Sequence, residues 1–205
     1  MKIAFVADAR SPIALNWIRY FVQRAHDVHV ISSYPCSSDV IPGAEISEIA
    51  IAFSQFSRVK HNGTTDSRDH RSALTRLLAS LRTGRLSGLT TAARFSLGSI
   101  EVLRHVERAR SLIAGLRPDI VHAMRIPFEG ILAAKATPPE IPLLLSVWGN
   151  DFTFFASRYP AIARQTREAL GRAHALHSDT RRDIDLAYEL GFGKDKPATV
   201  LPGGG

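Results

Sequence analysis

The chain has 205 residues, 45% of them hydrophobic, enough for one large domain or two small ones around a real core. Lys and Arg number 26 against 19 Asp and Glu, and the resulting net charge of +7 favours anionic partners such as nucleic acid, anionic lipid or phosphorylated ligands. A single cysteine, Cys36, excludes an internal disulfide and fits a reducing cytoplasm. The opening MKIAFVADAR has only five apolar residues before Asp8, too few for a signal-peptide core, and no later run is long enough to span a bilayer.

Residues 2–7, KIAFVA, read as the first strand. The loop that follows carries Asp8, Arg10 and Ser11, with Ser11-Pro12 as an N-cap and first-turn proline for a helix whose Leu15, Ile18 and Val22 share one face. DVHVIS (27–32) is a second strand and AEISEIAI (44–51) a weaker one. Residues 54–99 then break the rhythm. KHNGTTDSRDH (60–70) is a polar loop, whereas Leu74, Leu77, Leu78 and Leu81 keep helical spacing, so an inserted helical excursion between loops is expected. Val102, Leu103, Val106, Ala109, Ile113 and Leu116 form the next helical stripe, closed by Pro118. DIVHAM (119–124), LLLSVW (143–148), AHALHS (173–178) and ATVLP (198–202) complete the strands. A helix marked by Ile184, Ala187 and Tyr188 starts near Ser178 or Thr180 and ends at Gly191. Strands apolar on both sides, alternating with helices, predict an α/β fold: a Rossmann-like, doubly wound and mostly parallel sheet with helices on both faces. The ending VLPGGG leaves a strand for glycines with no helix to cover it, which reads as a cut at a domain boundary.

In such a sheet, ligands gather beyond the carboxyl ends of the strands. That rule singles out Trp148-Gly149-Asn150-Asp151, where an apolar strand stops in a glycine suited to a turn closed to other residues and an Asp able to accept from hydroxyls. Phe152, Phe154 and Phe155 then pack the loop or line a cleft. The competing reading is that Asn150-Asp151 only starts the next helix. The loop at Asp8, Arg10 and Ser11 leaves a strand in the same sense and offers helix N-H groups to an anion, or Asp8 merely caps. No G-x-G-x-x-G occurs, which argues against a nicotinamide or flavin dehydrogenase. His122 lies within an apolar run, the usual setting of a hydrogen-bonded core histidine, with a ligand or base as the alternative. His174 and His177 are three apart in a strand and face opposite ways; with no H-E-x-x-H, paired cysteines or P-loop, no metal site is expected.

The charge is concentrated: between Arg58 and Arg110 eleven Lys and Arg face four acids, a surplus of seven that matches the whole chain's. Phe95 is the one aromatic there, so the stacking platform of a single-strand nucleic-acid binder is missing and no nucleic-acid partner is expected. A leucine helix flanked by Arg71, Arg82 and Arg85 suits an anionic membrane surface, or else a core-facing helix with a solvated basic rim.

With these residues in view, the chain resembles the amino-terminal half of a GT-B glycosyltransferase of the large retaining group called family 4, or group 1. The opening strand, loop and helix run into Ala25-His26-Asp27-Val28, which is similar to the family's G-H-E-V turn. LRPDIVHAM resembles its K-P-D-V-V-H-x-H strand, LLLSVWGNDF its W-G-x-D loop, ALHSDTRRDIDLAYELGF the following strand and helix, and VLPGGG, with Gly203, the crossing into a second domain. The resemblance implies an enzyme of two Rossmann-like domains. Residues 1–205 would be the acceptor-binding one, with 54–99 an inserted excursion, and the donor-binding domain is absent here, so that the fragment would not transfer sugar alone. It implies transfer from a nucleotide sugar with retention and without metal or cofactor. Asp151 and His122 would take part at the reacting centre, and Asp8, Arg10, Ser11, Trp148, Gly149, Asn150 and Gly203 would line the cleft. His122 matches the first family histidine, while the second falls on Met124 and the usual glycine-rich first loop is replaced by Asp8-Ala9-Arg10-Ser11. Lipid-linked or envelope-related acceptors at the cytoplasmic face of the inner membrane are implied as well. The alternative is a non-catalytic membrane-surface or scaffold module using residues 58–110.

Overall fold

The alternation of β-branched strands with amphipathic helices produces one parallel sheet in a computed structural model that describes residues 1–51, 54, 98 and 101–201. Its strands are β1 (Lys2–Ala7), β2 (Asp27–Ser32), β3 (Glu45–Glu48), β4 (Ile120–Ala123), β5 (Leu143–Val147), β6 (Ala175–Ser178) and β7 (Ala198–Val200). They lie in the order β3-β2-β1-β4-β5-β6-β7, every neighbouring pair parallel. The helices are α1 (Pro12–Gln23), α2 (Val106–Leu116), α3 (Ile131–Ala136), α4 (Pro160–Arg172) and α5 (Arg181–Glu189). The expected doubly wound fold is the observed one.

Side chains alternate across the pleat, so β1 feeds two cores. Ile3, Phe5 and Ala7 of β1 join Val28 and Val30 of β2 and Ala14 and Ile18 of α1 on one face. Ala4 and Val6 meet Val121, Leu145 and the buried positions of α2 to α5 on the other. Burying each larger aliphatic side chain contributes roughly 2 kcal/mol.

Several local expectations change. Residues Val102–His105 form a tight 3-10 turn before α2 in place of a continuous helix, which rotates Leu103 out of the predicted stripe to 42% exposure. Helix α2 then ends at Arg117, whose backbone is left-handed (φ 47°), just ahead of Pro118. Ser11 takes the extended N-cap conformation before Pro12 but makes no side-chain cap bond. Thr180, not Ser178, caps α5, its hydroxyl accepting the Asp183 N-H. Helices α3 and α4 have no counterpart among the sequence-predicted elements. The excursion at 54–99 with Arg71, Arg82 and Arg85, apart from residues 54 and 98, and also Gly203, lie outside the described residues. No helix among the described residues is long and apolar enough to cross a membrane.

Candidate active site

Strand order reverses between β1 and β4: from β1 the chain works outward through β2 and β3, from β4 through β5 to β7. The loops leaving β1 and β4 therefore diverge and open the crevice in which parallel sheets of this kind bind ligands. Asp8, Ser33, Arg125, Glu129 and Asp151 all follow strand ends on this rim.

Asp151 is 1% exposed and opens a wide, π-type turn, Asp151–Ala156. Its Oδ2 accepts the backbone N-H of Ile126 at 3.1 Å and of Trp148 at 3.2 Å, tying the β4 exit to the β5 exit. Arg125 stands 3.7 Å from Oδ1, its guanidinium 5.1 Å from the Phe155 ring centre. Burial pushes the Asp151 carboxyl up to about 7, against the pull of Arg125 and of the two N-H donors. The reading of Asn150-Asp151 as the start of the next helical element is thus realised, yet the carboxylate faces inward and clasps two loops.

Glu129 sits in the turn Ile126–Gly130 at 3% exposure, and its Oε1 receives the Ser33 hydroxyl at 2.6 Å. Burial raises its carboxyl above the ordinary range, while Arg125 and the Ser33 bond oppose the rise. The turn is strained, with Phe128 at φ 70°, and it is tight: the Gly130 N-H meets the Arg125 carbonyl at 2.7 Å, and a Cβ on Gly130 would fall 2.9 Å from that oxygen.

Asp8 turns back on its own loop. Its Oδ1 accepts the Arg10 backbone N-H at 3.0 Å, and its carboxylate grips the Arg10 guanidinium at 3.0 and 3.2 Å. Arg10 in turn lies over the Tyr34 ring at 3.8 Å, and the Asp8 bond raises its already high pKa. Trp148 packs half-buried against the α1-side core, while Gly149 and Asn150 are exposed at the rim. Gly149 departs from its predicted role: its φ is not positive, and an added Cβ would meet only Arg182 Nη2 at 3.8 Å, so the turn does not demand glycine. Arg182 reaches the Gly149 carbonyl at 3.4 Å and so joins the β6 exit to this loop. Of the aromatics, Phe152 and Phe155 are buried in the core, and Phe152 also borders a groove of about 450 Å³ between α4 and α5 that includes Ala163, Leu186 and Leu190.

His122 belongs to another part of the molecule. It faces α1 from within β4 at 2% exposure, its Nε2 2.7 Å from Ser146 Oγ, and the same hydroxyl lies 2.9 Å from His177 Nδ1. His177 Nε2 then donates to the Leu201 carbonyl at 2.9 Å, because a carbonyl only accepts. Trp17 of α1 packs against both imidazoles, edge-on to His122 with ring centres 5.9 Å apart and tilted to His177 at 4.7 Å. Burial first, and the neighbouring His177 second, lower the His122 pKa to about 3, which keeps it neutral. The core-histidine reading describes this environment, and the structure groups His122 with Ser146 and His177 instead of with Asp8 and Asp151.

Arg125, Glu129 and Ser33 were not singled out from the sequence. Arg-Ile-Pro-Phe-Glu-Gly has neither helical nor strand period, and the one available signal was its position directly after a predicted strand. Among the described residues, no group of three or more His, Cys, Asp and Glu side chains could hold a metal ion.

A search of curated proteins finds no match. Among solved structures, the chain is similar to that of Glycyrrhiza uralensis UGT73P12 complexed with glycyrrhetinic acid 3-O-monoglucuronide, at TM-score 0.46 and 13% identity over 98% of this chain and 48% of that one. The chain spans about half the length of that structure. The family model described as "Glycosyl transferase 4-like domain" matches residues 11–204, nearly the whole length. The chain belongs to the glycosyl transferase 4-like domain family.

Proposed function

We propose that the chain is the acceptor-binding part of a retaining glycosyltransferase that moves a sugar from a nucleotide-sugar donor to a hydroxyl acceptor, the donor being held mainly by a further domain. One observation carries this reading: Asp8 after β1 and Asp151 after β5 flank the reversal of strand order on a single rim, both close enough to Glu129 to act on it electrostatically. In this reading exposed Gly149 and Asn150 meet the ligand, and Asp151 positions their loop from beneath. Asp8 holds Arg10 and the start of α1 in place. The reaction proceeds with retention and without metal, the leaving diphosphate stabilised by positive charge and helix ends. The cationic surplus of residues 58–110, with Arg71, Arg82 and Arg85, supports a lipid-linked or envelope-related acceptor met at the cytoplasmic face of the inner membrane.

Calorimetric titration of the chain with UDP- and GDP-linked sugars and with simple methyl glycosides tests the division of labour. Weak or absent nucleotide-sugar binding, together with glycoside binding that perturbs Trp148 fluorescence, is expected. Tight, stoichiometric nucleotide-sugar binding to this chain would contradict it.

A further inference from the structure

The fold treats the two oxygens of Glu129 differently. Oε1 takes the Ser33 hydroxyl at 2.6 Å, whereas Oε2 is buried with no hydrogen-bond partner among the described residues. An interior carboxyl oxygen left this way costs free energy that folding alone gives no reason to accept, since an apolar side chain of similar size would fill the position without it. The carboxyl also stands where four strand exits meet. Ser33 comes from β2, Asp8 from β1, Arg125 from β4 and Asp151 from β5, and Asp8, Arg125 and Asp151 are each near enough to Glu129 to influence its charge. The turn that presents it is held in strain at Phe128 (φ 70°), a state that persists only when the surroundings enforce it.

The neighbours narrow the ligand. Asp8 is matched by Arg10 and Asp151 by Arg125, so the carboxyls and cations around Glu129 leave no unmatched charge to draw an ionic ligand. A neutral hydroxyl suits the remaining oxygen in either protonation state, donating to a carboxylate or accepting from a carboxylic acid. Resting on the acceptor-binding reading above, we propose that Glu129 is the specificity-determining residue of the acceptor subsite, taking one hydroxyl of a neutral sugar or polyol on Oε2 while Ser33 holds Oε1.

The test uses the 205-residue chain with methyl glycosides of common hexoses and myo-inositol as probes. Saturation-transfer NMR follows binding, and thermal unfolding without ligand is recorded for the parent chain, Glu129→Met and Glu129→Gln. Glu129→Met removes the unserved oxygen but also the acceptor of the buried Ser33 hydroxyl, so its melting temperature serves to show that it folds; it is expected to bind the preferred probe about tenfold more weakly or not at all. Glu129→Gln, which still presents a polar atom at that position, is expected to restore binding to within about threefold with a changed ranking of probes. Methionine-variant binding equal to the parent's overturns the proposal. If that variant does not fold, an unchanged probe ranking in Glu129→Gln overturns it instead. Failure of every probe to bind the parent chain overturns both this proposal and the acceptor-binding reading, whereas binding indifferent to Glu129 removes this proposal alone.

Discussion

The two rims of the sheet use charge in opposite ways. At the amino rim, cations reach out to carbonyls: Arg172 Nη2 donates to Pro138 O at 2.6 Å and to Thr137 O and Ile141 O at 3.3 Å, and Lys196 Nζ donates to Gly171 O and Ala173 O at 2.9 and 2.8 Å. These contacts are part-buried staples on helix and loop ends, apart from the exposed one to Gly171. At the carboxyl rim, carboxylates are driven inward and take backbone N-H groups or hydroxyls. Glu129 and Asp151 are almost wholly buried, and their carboxyls rise as a result. Two buried carboxyls beside a strained turn set the carboxyl rim apart from the amino rim.

The largest expected effect comes from titrating the carboxyl rim. On folding, the Asp151 carboxyl moves from its ordinary 3.8 to about 7, so the native state binds a proton that the unfolded chain has released in between. Stability therefore falls as pH rises from about 4 to about 7, by up to about 4 kcal/mol. Asp151→Asn, whose amide oxygen still accepts from Ile126 and Trp148, should remove much of that slope and leave the part due to Glu129. Urea unfolding across the range measures it, and a slope identical to the parent's would show that Asp151 does not titrate as described. Next in size, Asp151→Ala strands two buried N-H donors and should lower stability by about 2–3 kcal/mol near pH 4, the loss shrinking as pH rises because the variant also escapes the cost of holding the Asp151 proton. On the amino rim, Arg172→Met removes part-buried contacts to three carbonyls, so about 1–2 kcal/mol is expected, and the His174 pKa, lowered by burial first and by Arg172 second, should move back up. A larger loss there than for Asp151→Ala would erase the contrast between the rims. The smallest effect, about 1 kcal/mol, is expected for Thr180→Ala, which deprives α5 of its cap at Asp183 N and is read from the melting temperature.

Most of the scaffold was legible in the residues. Lys2–Ala7 and Asp27–Ser32 coincide with the predicted strands because fully buried parallel strands read as unbroken apolar runs. Helix α4 escaped because Gln165 and Thr166 occupy buried positions and interrupt its apolar stripe. Helix α3 escaped because six residues, four of them buried, form no amphipathic pattern. Within the site, Asp8 and the Trp148–Asp151 loop were found through the carboxyl-end rule, and the direction in which they face was not. Asp151 looks like a ligand contact in a string of residues. In space it clasps two turns.

What the amino-acid sequence determined by itself was the doubly wound sheet, its family and the loops on its carboxyl rim, because strand and helix periods and short motifs are local properties. Tertiary structure alone decided that Ser33, Arg125, Glu129 and Asp151 meet, and that His122 joins Ser146 and His177 beside Trp17. Those groupings depend on which parallel strands become neighbours and in what register, and residues 96 positions apart in sequence, such as Ser33 and Glu129, carry no local signal of that adjacency.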